Sequence, residues 1–165
     1  MSKQGQLISI DFIGSVVIFF ILLTTLFLFW NTSTTKFNNN LERDKLLFTL
    51  VKITDLFVEH QGIPTNWNVT NVQVIGLVEK DRTLDTNKLI FFKNLTYNRT
   101  RQLLNIEPYE FYFRIIDRNG AIVTAQNQAM EVGSFTPSVK EPVVTIRRFV
   151  LYGSRKVIIE FSAWK

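Results

Sequence analysis

A predominantly apolar run from Phe12 to Trp30 holds 19 positions without a formal charge. Wound as a helix it is about 28 Å long, close to the hydrocarbon thickness of a bilayer. A cleaved secretory signal has a shorter apolar centre, and "FLFWNTST" lacks the small-residue cleavage pattern. A helix buried in a globular core is seldom apolar all round over such a length. The pattern therefore predicts a membrane-spanning helix. Lys3 stands on the short N-terminal flank with no acid beside it, which places that flank in the cytoplasm and Trp30 at the outer interface. The expected localisation is single-pass, with everything after the span extracellular.

Beyond the span the pattern changes. "NTSTTKFNNN" is poor in helix formers and is expected to loosen or kink the helix. In "LERDKLLFTLVKITDLFVEH" apolar residues recur at helical spacing: Leu46, Leu50, Ile53 and Phe57, with Leu47, Val51 and Val58 alongside. Thr49, Lys52, Asp55 and Glu59 fall opposite, so an amphipathic helix is predicted, ended by Gly62 and Pro64. "NVQVIGLVE" (71–79) has the pattern of a strand. "LDTNKLIFFKNLTYNRTRQLLNI" predicts two short helices with cap-like polar starts at "DTN" and "TYN". "YEFYFRIID" alternates, with Phe111, Phe113 and Ile115 on one face, and Asn119–Gly120 turns it into "AIVTAQ" as a hairpin. A loop is expected over 132–142. "VVTIRRFVLY" and "RKVIIEFSAW" form a second hairpin, whose Val157, Ile159, Phe161 and Ala163 share the face that should cover the helix stripe. The fold class is α+β: a long N-terminal helix on a small, mainly antiparallel sheet with short helices.

Composition narrows the chemistry. At 165 residues the chain has room for one domain plus an attached segment. The absence of cysteine removes disulfides and thiolate metal sites. The net charge of +5 lies almost wholly after residue 31 and is too mild to mark a nucleic-acid binder, so no nucleic-acid partner is expected. The lone histidine, His60, closes the amphipathic helix, where a cation suits the helix C-terminus. No nucleophile elbow, phosphate loop, dinucleotide motif or metal spacing occurs, and neither enzyme activity nor a cofactor is expected. Glu79, Asp81 and Asp85 cluster in a turn-rich stretch, where they either bind a cation or, the preferred reading, belong to a solvated loop. Four sequons, at Asn31, Asn68, Asn94 and Asn98, all follow the span and are glycosylation candidates. Arg147, Arg148, Arg155 and Lys156 converge on the last hairpin, either as an anion-binding tip or as edge-strand charges that discourage aggregation.

The stretch "KQGQLISIDF" resembles the class III signal peptide of archaeal type IV pilin-like proteins. "GIPTNWN", "VQVIGLVE", "YEFYFRIID" and the ending "RRFVLYGSRKVIIEFSAW" are similar, in order and spacing, to pilin-like proteins of archaea. The resemblance implies cleavage by a prepilin peptidase between Gly5 and Gln6, with Ser9 and Asp11 as the small polar residue and acid used in assembly. In that family the acid stands fifth in the mature chain, whereas Asp11 would be sixth. It also implies a division into a leader (1–5), a transmembrane or filament-core helix (6–30), a helical stalk (31–61) and an extracellular head (62–165). The implied function is that of a pilin or minor pilin-like structural subunit. Its partners would be like subunits, the peptidase, the assembly machinery and membrane lipid. The alternative is a permanently anchored extracellular binding or adhesion module that does not polymerise. Two arrangements suit Asp11. It pairs with the α-amino group of Gln6 on a neighbouring subunit, staggering subunits by about 7.5 Å, or it merely reaches the headgroups or caps its own helix.

Overall fold

A computed structural model describes residues 4–138 and 142–165, with side chains at 4–10 and 38–40 left aside. The chain divides into two compact units, Met1–Glu42 and Arg43–Lys165, and helix α1 (Gln4–Glu59) contributes to both.

In the first unit α1 is long and apolar enough to cross a membrane, and its apolar window is wholly unburied. The hydroxyls of Ser15, Thr24 and Thr25 each donate to the carbonyl four residues earlier at 2.8 Å. Each polar side chain is thereby satisfied within the helix, as a hydrocarbon surrounding requires. The same device carries α1 through "NTSTTK": Thr34 donates to Trp30 O at 2.8 Å and Thr35 to Asn31 O at 2.9 Å. The expected loosening there does not occur, because the threonine hydroxyls bond back onto the helix instead of competing with it.

In the second unit, the remainder of α1 buries the predicted stripe. Leu46, Leu50, Ile53 and Phe57 are buried, as are Thr54 and Val58, while Leu47 and Phe48 face water. The sheet runs in the order β1–β2–β7–β8–β3–β6, with β1 at Val78–Lys80, β2 at Thr83–Leu84 and β3 at Glu110–Ile116. Its other strands are β6 (Glu131–Gly133), β7 (Val144–Tyr152) and β8 (Arg155–Trp164). All pairings are antiparallel except the short β2–β7 contact. A separate ribbon joins β4 (Thr124–Ala125) to β5 (Gln128–Ala129).

Val157, Ile159, Phe161 and Ala163 share the buried face of β8. Phe57 meets Phe161, Phe113 and Phe92 edge to face, with ring centroids 5.7, 5.8 and 5.4 Å apart. Phe92 arrives on α2 (Thr86–Asn94), started by Asp85, whose carboxylate accepts the Asn87 and Lys88 amides. The second short helix, α3 (Tyr97–Leu104), begins at Thr96 without a side-chain cap.

Three further expectations are corrected. The strand over 71–79 is only β1 at its end plus a bridge between Ile63 and Val74. Val72, Ile75, Leu77 and Val78 are all buried, so the segment is an apolar plug without strand alternation. Gly76 lies so close to the His60–Gly62 backbone that a Cβ would stand 2.1 Å from His60 O. "AIVTAQ" does not pair continuously with β3. It touches β3 through an Ile116–Ile122 bridge and then forms its own hairpin, turned at Gln126 and Asn127 with positive φ. Finally, the loop expected over 132–142 begins as β6, which takes the β3 edge opened by that departure.

Candidate functional site

The sequence-predicted processing and assembly residues fall at the start of α1. At Gly5, Gln6 and Ser9 only the helical backbone is described. Asp11 is exposed, and its backbone carbonyl accepts the Ser15 hydroxyl. From there to Phe37 nearly every side chain is open, including Phe19, Phe20, Leu26, Phe27, Phe29 and Trp30. Within it, Phe12 to Trp30 is an exposed, predominantly apolar surface.

The sequons stand in different settings. Asn31, Asn94 and Asn98 are exposed. Asn68 is half-buried, and its Oδ1 accepts the Thr70 hydroxyl at 2.7 Å and the Thr70 amide at 2.9 Å. Thr100, the hydroxyl residue of the Asn98 sequon, is fully buried and donates to Thr96 O.

The four cations of the last hairpin do not form one cluster, because successive β7 residues face opposite sides of the sheet. Arg148 reaches Asp55 on α1 at 2.7 Å. Arg147 turns to the outer face, where its Nε meets Glu160 at 2.7 Å, and Arg114 grips the same carboxylate from β3. Burial pushes the Glu160 carboxyl upward, but the hydrogen bonds from Arg147 and Arg114 outweigh it and hold the group below its ordinary range. Arg155 and Lys156 remain at the hairpin end, exposed and outside these pairs.

The register supplies a residue that sequence reasoning missed. Ile116 lies opposite Ile158 in the last β3–β8 pair, and Arg118, two residues past the end of β3, lines the same hollows as Lys156 on β8. Arg118 and Lys156 together wall two open hollows of about 570 Å³ each. The Asn119–Gly120 turn was the only sequence signal, and without the β3–β8 register it does not say which hairpin lies beside it.

Lys88 is buried on α2 and donates from Nζ to Gln61 O at 2.8 Å and Val78 O at 2.9 Å. Burial lowers its pKa, partly offset by Asp85 and Glu79. It ties the chain after α1 to β1, a structural task. Among the described residues no group of three His, Asp or Glu side chains could hold a metal ion. His60 Nδ1 accepts the Gly62 amide at 3.1 Å, closing the end of α1. No protein-family model, no curated protein and no solved structure matches the chain.

Proposed function

We propose that the chain is a structural subunit, a pilin or minor pilin-like protein, of an archaeal type IV pilus-type surface filament or pseudopilus. The observation that carries this reading is the uncovered apolar surface of α1 from Phe12 to Trp30, in a chain whose second unit fills its own core. An unburied apolar helix needs lipid or other helices around it. Subunits held first by membrane lipid exchange hydrocarbon for the helices of like subunits, gaining packing rather than a new hydrophobic driving force.

The leader would be removed between Gly5 and Gln6 on the cytoplasmic face, and the assembly machinery would then lift the subunit out. Asp11 pairs with the freed amine of a neighbour's Gln6, a contact available only after cleavage. The second unit faces outside and forms the filament surface.

Mass spectrometry of the mature N-terminus, combined with electron microscopy of the shed surface fraction, tests the proposal. Filaments whose chain begins at Gln6 are expected. A chain that retains Lys3 and stays in the membrane overturns it and leaves the anchored adhesion module. Asp11→Ala should abolish filament incorporation while membrane insertion continues, and unchanged assembly refutes the pairing.

A further inference from the structure

The second unit ends in a cationic shelf. From Arg43 to Glu59 the helix rises roughly 24 Å. At that far end Glu59 meets Arg82, whose carbonyl accepts the Leu151 amide at 2.9 Å, so the β7–β8 turn lies away from Arg43. Here Arg118, Arg155 and Lys156 are exposed, and among the described residues none of them is in an ion pair. Arg82 stands on the rim, in an exposed pair with Glu59 of the kind that contributes little. Two acids share the hollows. The Asp117 carboxylate is tied to the Asn119 and Ala121 amides, and Asp81 sits in the β1–β2 turn beside Arg82.

Between the cations the surface is apolar. Phe149 is 74% exposed, far more than a strand residue with a core role, and Leu151 is open beside it. The first hollow adds the neutral hydrogen-bonding groups of Asn119, Tyr152 and Ser154. Both hollows are open and adjoin through Arg118 and Lys156, so the surface suits an extended ligand more than an enclosed small molecule. Such a ligand carries spaced anionic groups for the guanidinium forks, hydroxyls for the neutral groups and an apolar face for Phe149. Single-stranded nucleic acid fits less well, since it calls for several exposed rings on which successive bases stack, and among the described residues lining these hollows Phe149 is the one exposed ring, Tyr152 being half-buried.

We propose that this end of the second unit binds an acidic polysaccharide, its carboxylates held by Arg118, Arg155 and Lys156 and a sugar ring resting on Phe149. The site lies wholly within the second unit and does not depend on polymerisation, so its failure and that of the filament reading are told apart by the mature N-terminus.

The test uses the full chain in neutral detergent micelles, with polygalacturonate as the probe and its methyl-esterified, uncharged form as the control. Polygalacturonate should bind at low salt and weaken as salt screens the contacts, while the esterified polymer should not bind. Replacing Arg118, Arg155 and Lys156 together by Ala should weaken binding at least about tenfold, because each charge-assisted contact is lost. Phe149→Ala should weaken it several-fold with the cations intact, whereas Arg99→Ala, on α3, should not. Equal binding of the esterified polymer, a triple variant that binds like the wild type, or no binding at all overturns the proposal. Tighter binding of single-stranded DNA than of polygalacturonate, at equal charge concentration, overturns it in favour of nucleic acid.

Discussion

Phe57→Ala should distinguish the core-bearing face of α1 from its solvent face. Phe57 is fully buried and sits among the rings of Phe92, Phe113 and Phe161. Truncation removes the burial of one large ring and leaves a cavity among three others, a change worth about 3–5 kcal/mol. Loss of three edge-to-face contacts places the expected value in the upper part of that range. For a domain of this size the cost lowers Tm by roughly 10–20 °C. Phe48, nine residues earlier on the same helix, is 66% exposed, and Phe48→Ala should change stability by less than about 0.5 kcal/mol. Thermal unfolding of the full chain in detergent, followed by near-ultraviolet circular dichroism, reads the aromatic cluster directly. Equal shifts for the two variants, or a Phe57→Ala shift of only a few degrees, would refute the packing of α1 on the sheet.

Two further predictions concern pH. The Glu160 carboxyl, held low by Arg147 and Arg114 against its own burial, contributes stability above the ordinary carboxylate range and loses it as pH falls below that range. Its arginine partners are partly solvated, so Glu160→Gln should cost about 2 kcal/mol near neutral pH. The gap between variant and wild type, measured by denaturant unfolding, should hold down to about pH 5 and shrink below about pH 4.5. Burial pushes the Tyr97 phenol up to about 12, supported by its hydrogen bond to Glu110. Stability due to the protonated phenol is complete below its ordinary value near 10 and fades as pH rises through 12, so Tyr97→Phe should remove the corresponding phenolate step from an absorbance titration.

Elements governed by local periodicity were legible from the residues alone. The apolar run of α1, the stripe Leu46–Leu50–Ile53–Phe57, the Asp85 cap and the alternation of β3 and β8 each rest on spacing within a few residues. The misread segments were those where a distant partner decides. Residues 71–79 look like a strand because Val72, Val74, Ile75, Leu77 and Val78 are apolar. Their backbone is instead set by the loop after α1, which admits only Gly76 at its closest approach. β6 was hidden in a loop because its pairing needs the edge that "AIVTAQ" vacates.

The candidate site divides along the same line. Chain order by itself determined that an apolar rod precedes a mixed head, that an acid stands at the start of the rod, and that four cations lie near the last turn. Only the tertiary structure decided which of those cations are neutralised. Arg147 and Arg148 are adjacent in the chain, yet one meets Glu160 across the sheet and the other Asp55 on α1, while Arg118, from another hairpin, joins Lys156. Hydrophobic periodicity is a property of neighbours along the backbone, so it is written in the sequence. A charge is paired or free according to what the fold brings within about 4 Å of it, and strand register settles that across dozens of residues.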